Sequence, residues 1–96
     1  MLTVWKYPIN PSNEVIELKI PGGGPILSAA LDPSGQPCVW AMVDEGEKEE
    51  SIFIYCIGTG WPLDKIVRDE AEGVNFVGTV KDGIYIWHIF TEGVVV

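Results

Sequence analysis

Alternation of apolar and polar positions dominates this chain, and it predicts strands far more often than helices. Thr3 to Ile9 sets Trp5 and Tyr7 against Val4 and Lys6, which reads as a first strand. Asn10-Pro11-Ser12-Asn13 is a turn cluster, and Glu14 to Ile20 follows with Ile16, Leu18 and Ile20 on one face and Glu17 and Lys19 on the other. The two are expected to form a hairpin. Pro21-Gly22-Gly23-Gly24-Pro25 breaks the pattern as a flexible connector, Ile26 to Leu31 is a short strand, and Asp32-Pro33-Ser34-Gly35 is a turn leading into Gln36 to Asp44. After an acidic loop at Glu45–Glu50, expected to be a solvated hairpin loop, come strands at Ile52–Ile57, Val74–Lys81 and Ile84–Thr91, the last two joined by an Asp82-Gly83 hairpin signal. Pro62 to Glu72 is the single helix candidate, with Pro62 at the first turn, Leu63, Ile66 and Val67 facing inward, and Gly73 closing it. Gly93-Val94-Val95-Val96 frays or extends an edge. The expected fold is mainly β (β-rich α+β): a single domain over 1–96, a compact antiparallel sheet of about six to seven strands built from hairpins, with one short helix.

Three of these strands, Cys38–Val43, Ile52–Ile57 and Ile84–Phe90, are apolar on both faces. One face fills the core and the other needs a cover. A helix as short as Pro62–Glu72 is too poor in apolar residues to supply it. Self-association through the sheet, with Trp40, Trp87 and Tyr85 as candidates, is the favoured solution; a two-layer sandwich that consumes both faces is the alternative. Composition points the same way, since 47% hydrophobic residues and a mean hydropathy of +0.21 are high for 96 residues, a length that buries only about 60–65% of its unfolded surface.

Charge narrows the range of partners. Six basic residues against fourteen acidic ones give a net charge of −8, which argues against long nucleic acids held through many phosphate contacts. It leaves room for a small ligand with one or two phosphates. Cys38 and Cys56 lie in apolar runs and read as buried free thiols, with a disulfide left open. No segment has the length of a membrane span, and Met1-Leu2-Thr3-Val4-Trp5-Lys6 lacks a signal peptide's basic start and apolar stretch. The expected location is cytosolic.

Candidate chemistry concentrates after the Ile52–Ile57 strand, in Gly58-Thr59-Gly60-Trp61. Two glycines allow a turn that aims successive N–H groups at an anion. Thr59 adds a hydroxyl, and Trp61, outside any periodic run, adds a flat ring for base stacking. Lys6 and Arg68 are the candidate phosphate contacts. His88 alternates with Ile86 and Phe90 and reads as a satisfied core or interface histidine. Ser28 or Thr79 with His88 as base lacks any nucleophile-elbow signature. One histidine with two scattered cysteines does not have zinc spacing, and the Glu45–Glu50 acids lack the alternation of a calcium loop. No catalytic residue, metal or cofactor is expected, and the protein is not expected to be an enzyme.

Five landmarks occur in order: Val4-Trp5-Lys6-Tyr7; Gly24-Pro25-Ile26-Leu27-Ser28; Val39-Trp40-Ala41-Met42-Val43-Asp44; Gly58-Thr59-Gly60; and Phe76-Val77-Gly78-Thr79 followed by Ile86-Trp87-His88-Ile89-Phe90. Together they resemble a widespread family of small phage proteins, close to the phage anti-CBASS sponges that bind cyclic nucleotide immune signals and withhold them from effectors. The resemblance implies sequestration without cleavage, in the host bacterial cytoplasm, by a homo-oligomer (a tetramer among the options) with pockets at or near subunit interfaces. It places binding at Gly58, Thr59, Gly60 and Trp61, with Lys6 and Trp5 next. The charge of −8 departs from that picture, so local N–H and hydroxyl donors must dominate. Competing expectations are a small acidic phage protein that inhibits a host protein, and a minor virion or assembly protein.

Overall fold

Val39, Ala41 and Val43 are fully buried while Trp40 and Met42 between them are only half-buried, so this strand presents one face inward and the other to the surface. The same two-residue period runs through Ser51–Ile57 and Trp87–Thr91. In the computed structural model, which describes residues 1–63 and 74–92, the strands are β1 (Leu2–Pro8), β2 (Ile16–Pro21), β3 (Ile26–Leu31), β4 (Pro37–Asp44), β5 (Glu49–Gly58), β6 (Val74–Asp82) and β7 (Tyr85–Glu92). They form two antiparallel sheets, in the orders β1-β4-β3 and β2-β5-β7-β6. Among the described residues there is no helix. Pro62 and Leu63 have no regular structure, and the rest of the expected Pro62–Glu72 helix lies outside the described residues, as does the Gly93–Val96 tail.

The core lies between the sheets. Val39, Ala41, Val43 and Ala29 from one layer share a single cluster with Ile20, Ile52, Ile54, Cys56, Val80, Trp87 and Ile89 from the other. Fully burying an isoleucine such as Ile54 or Ile89 contributes about 1.5–3 kcal/mol. The alternative of two layers is therefore correct in architecture, but each strand spends only one face on it. Phe53, Tyr55, Ile57 and Phe90 remain half-buried on the outer face of the larger sheet. Trp87, expected at a subunit interface, is in the core at 7% exposure.

The expected pairing of the first two strands does not occur. β1 pairs with β4, Trp5 opposite Ala41 and Tyr7 opposite Val39, whereas β2 pairs with β5, Leu18 opposite Ile52. β1 is held to its sheet at its end by Ile9 N–H donating to Pro37 O at 2.9 Å and Gln36 Nε2 donating to Ile9 O at 2.8 Å. The chain then crosses to the other layer, so the apolar faces of β1 and β2 belong to opposite layers rather than to one ladder. Among the described strands only β3–β4 and β6–β7 are hairpins between consecutive strands. The Gly22–Gly24 stretch is likewise a crossover between sheets, fixed by Gly22 N–H to Lys48 O at 3.0 Å. The Glu45–Glu50 loop begins as an exposed acidic turn, but it too joins the two layers and is not a hairpin.

The sheets meet along β3 and β6, which have no ladder between them. There a Cβ on Gly78 would sit 2.8 Å from Ala29 O and 3.3 Å from Ala29 N. Backbone cannot yield as a flexible side chain does, so the seam depends on a residue without a side chain. Gly78→Ala is expected to destabilise the fold by about 1–3 kcal/mol, read as a lower midpoint of urea unfolding. An unchanged midpoint would show that the seam is loose.

Candidate functional site

β5 ends at Gly58, and its partner β7 places Trp87 directly opposite. The chain turns there: Trp61 N–H donates to Gly58 O at 3.0 Å, and Thr59 N–H donates to Ile86 O at 3.4 Å, fastening the turn to β7. Gly60 has φ +89°, a left-handed conformation that a side chain would oppose. At Gly58 the requirement is space. A Cβ would lie 2.9 Å from Trp61 Cε2 and 3.1 Å from Nε1, so the indole occupies the volume that any other residue would fill.

Trp61 meets Trp87 edge to face, with centroids 5.3 Å apart and planes at 86°, an arrangement favoured by the ring quadrupoles. Tyr85 lies 6.0 Å from Trp87 with planes at 34°. Trp87 is buried, whereas Trp61 is 44% and Tyr85 59% exposed. Around these rings is a cleft of about 220 Å³, walled on one side by Gly58, Thr59 and Trp61 and on the other by Ile84 to Trp87 at the start of β7. Among the described residues no charged side chain lines it, and buried Trp87 Nε1 meets no acceptor.

Thr59 and Tyr85 are the hydroxyl-bearing residues of the wall; Thr59 Oγ1 is 2.7 Å from His88 Nε2, and His88 Nδ1 is in turn 3.1 Å from Thr79 Oγ1. The N–H groups of Thr59 and Trp61 are used within the turn and its tie to β7. The expected anion-holding nest is therefore not formed by these two groups. What the arrangement offers is aromatic surface with the hydroxyl-bearing residues Thr59 and Tyr85 in its wall.

Of the residues anticipated from sequence, Gly58, Thr59 and Trp61 come together. Gly60 shapes the turn without lining the cleft. Lys6 and Trp5 lie on β1 of the other sheet, and neither lines the cleft. Lys6 Nζ is paired with Asp32 Oδ2 at 2.9 Å, which raises its pKa above the ordinary lysine value. Asp32 also accepts from the Ser34 hydroxyl at 2.6 Å and the Gln36 N–H at 3.0 Å. Together the Ser34 hydroxyl, Lys6 and Gln36 hold its carboxyl well below the usual carboxylate range. Lys6 is thus occupied in closing the β3–β4 turn and is not presented to a phosphate. Arg68 lies outside the described residues. Sequence reasoning missed Ile84 to Trp87 as a wall and the contact of Thr59 with His88, because both depend on the pairing of β5 with the non-consecutive β7; Thr79 and His88, considered together from the sequence, face each other in the β6–β7 ladder.

Other chemistry is sparse. Cys38 and Cys56 are free and buried, and burial pushes the Cys56 thiol up to about 11. Among the described residues no group of three or more His, Cys, Asp or Glu is placed to hold a metal ion. Among the described residues no helix is long and apolar enough to cross a membrane.

The chain belongs to the family described as Domain of unknown function (DUF7352), whose profile matches residues 1–95. Neither the curated proteins nor the solved structures contain a match to it.

The fit of Trp61 over Gly58 can be tested directly. Gly58→Ala is expected to displace the indole, weakening the near-ultraviolet circular dichroism of the Trp61–Trp87 pair and shifting tryptophan emission to the red, while the far-ultraviolet spectrum stays that of a β protein. Retention of the near-ultraviolet signal would show that the ring does not rest there.

Proposed function

We propose that the protein is a nucleotide-binding sponge: it takes up the base of a cyclic nucleotide signal in the Trp61–Tyr85 cleft and holds it without cleaving it, in the cytoplasm of a phage-infected host. The observation that carries the reading is the cleft itself, whose wall holds three aromatic rings and the hydroxyl-bearing Thr59 and Tyr85, with no charged side chain among the described residues. A base stacked on such a ring gains about 1–3 kcal/mol.

Size supports a shared site. At about 220 Å³ the cleft is smaller than the roughly 300–1,000 Å³ of pockets for drug-sized ligands, and it suits one ring system. A cyclic dinucleotide carries two bases, so its second base calls for the cleft of a second copy. Ile84, at the tip of the β6–β7 hairpin, is 88% exposed beside exposed Tyr85 and Ile86. We read this apolar rim as the surface where copies meet. The same rim favours a second reading, that a host protein docks on the hairpin tip and is inhibited.

Thermal melting with a panel of cyclic di- and trinucleotides and cyclic ADP-ribose isomers separates these readings. A ligand at a hundred times its Kd is expected to add about 2.7 kcal/mol of stability and to be recovered intact after denaturation. Trp61→Ala is expected to weaken binding by roughly 5- to 150-fold, the equivalent of the lost stacking. If no member of the panel shifts melting, the sponge reading fails; a stoichiometric host protein captured through Ile84 would favour inhibition.

A further inference from the structure

A strand at the edge of a sheet is bonded on one side only. Among the described strands this fold has four: β1 and β3 in one sheet, β2 and β6 in the other. Three of them are guarded. β3 and β6 each shift register, between Ile26 and Ser28 and between Phe76 and Gly78, and they pack along each other. β2 carries Glu17, Lys19 and Pro21. Bulges, charges and proline are the devices that keep an edge from pairing. β1 differs: its register runs unbroken from Leu2 to Pro8, Leu2, Val4 and Trp5 are exposed, and its proline stands only at the end. Its one charge is turned away from the edge. The Lys6 ammonium lies 2.9 Å from Asp32, which follows β3 on the far side of β4.

The backbone groups on the open side are identifiable. Glu45 N–H donates to Met1 O at 3.0 Å and Ile9 N–H donates to Pro37 O at 2.9 Å, at the two ends of the β1–β4 ladder. Bonded and non-bonded pairs alternate along an antiparallel ladder. Thr3, Trp5 and Tyr7 therefore bond to β4, and the N–H and C=O groups of Leu2, Val4 and Lys6 point to the free edge. We propose that this edge is a self-association surface: β1 pairs antiparallel with β1 of a second copy, Val4 opposite Val4, and joins the two three-stranded sheets into one of six strands. In that register every N–H of Leu2, Val4 and Lys6 meets a C=O of the other copy. Lys6 falls opposite Leu2, so like charges stay apart. With Trp5 at the centre instead, Pro8 falls opposite Leu2 and has no N–H to give. A second copy fits this edge because its pattern is its own complement about Val4, the requirement of a twofold contact. Charge agrees: copies at −8 repel wherever acids face each other, and β1 contains none. The surface is separate from the rim at Ile84, and it holds or fails independently of the nucleotide reading.

Residue-resolved amide exchange on the full chain at rising concentration reads the edge directly. In dilute protein the Val4 and Lys6 amides are expected to exchange fast while β4 protects those of Thr3, Trp5 and Tyr7. As copies associate, Val4 and Lys6 are expected to slow by roughly tenfold or more. Sedimentation tests the register, in an Ile84→Lys chain so that the rim does not contribute. That chain is expected to show a doubled mass. Adding Val4→Glu sets two carboxylates against each other at the centre and is expected to return the mass to that of one chain. Adding Leu2→Glu, which faces Lys6 of the other copy, is expected to leave the mass doubled. Val4 and Lys6 amides that stay fast at every concentration overturn the proposal, as does a folded Val4→Glu chain that associates as strongly as its parent. Should Val4→Glu fail to fold, the amide exchange of the unsubstituted chain decides alone.

Discussion

Two sheets of this size are stable only as long as their inner faces cover each other. β4 supplies Val39, Ala41 and Val43, all fully buried, and β5 and β7 supply Ile54 and Ile89 in the same cluster. Everything else in the molecule is arranged around keeping those layers in contact. The crossovers at Ile9–Ile16, Pro21–Ile26 and Asp44–Glu49 carry the chain from one layer to the other. Along β3 and β6 the layers approach so closely that a Cβ on Gly78 would collide with the backbone of Ala29. A chain of 96 residues has little stability to spare, so the seam and the core act as one constraint.

The cleft follows from that packing. Where β5 ends, the inner face would be open at Gly58, and Trp61 folds back into the gap against Trp87. The aromatic wall is therefore part structural and part exposed: Trp87 belongs to the core, Trp61 closes it, and Tyr85 continues the surface outward. On the opposite face of β7, His88 joins the turn through Thr59. One short turn thus connects the buried interior, the cleft and the outer row of polar side chains. This is why a change at Gly58 bears on both packing and binding.

Strand positions were legible in the sequence because the two-residue period is local. β2, with Ile16, Leu18 and Ile20 turned inward, was plain, and the Asp32–Gly35 and Asp82-Gly83 turns gave two true hairpins. The sorting of strands between layers was not legible. Alternation says which face of β1 is apolar, but an apolar face is equally well buried by a neighbour in the ladder or by the opposite sheet. The same limit governs the site. Gly58, Thr59 and Trp61 stood out through turn chemistry, whereas Tyr85 and Trp87 join them only through the Gly58–Trp87 pairing. Lys6 misled for an opposite reason: its partner Asp32 is distant in sequence, so it read as an available cation.

We propose that a base is taken up at the end of the sandwich capped by Trp61. A crystal structure of the protein with a cyclic dinucleotide that raises its melting temperature tests this most directly. The base is expected to lie against Trp61 and Tyr85, and the second base to occupy the same cleft of another copy. A ligand found instead on the β1–β4–β3 sheet near Trp5 and Lys6, with Trp61 undisturbed over Gly58, would contradict it.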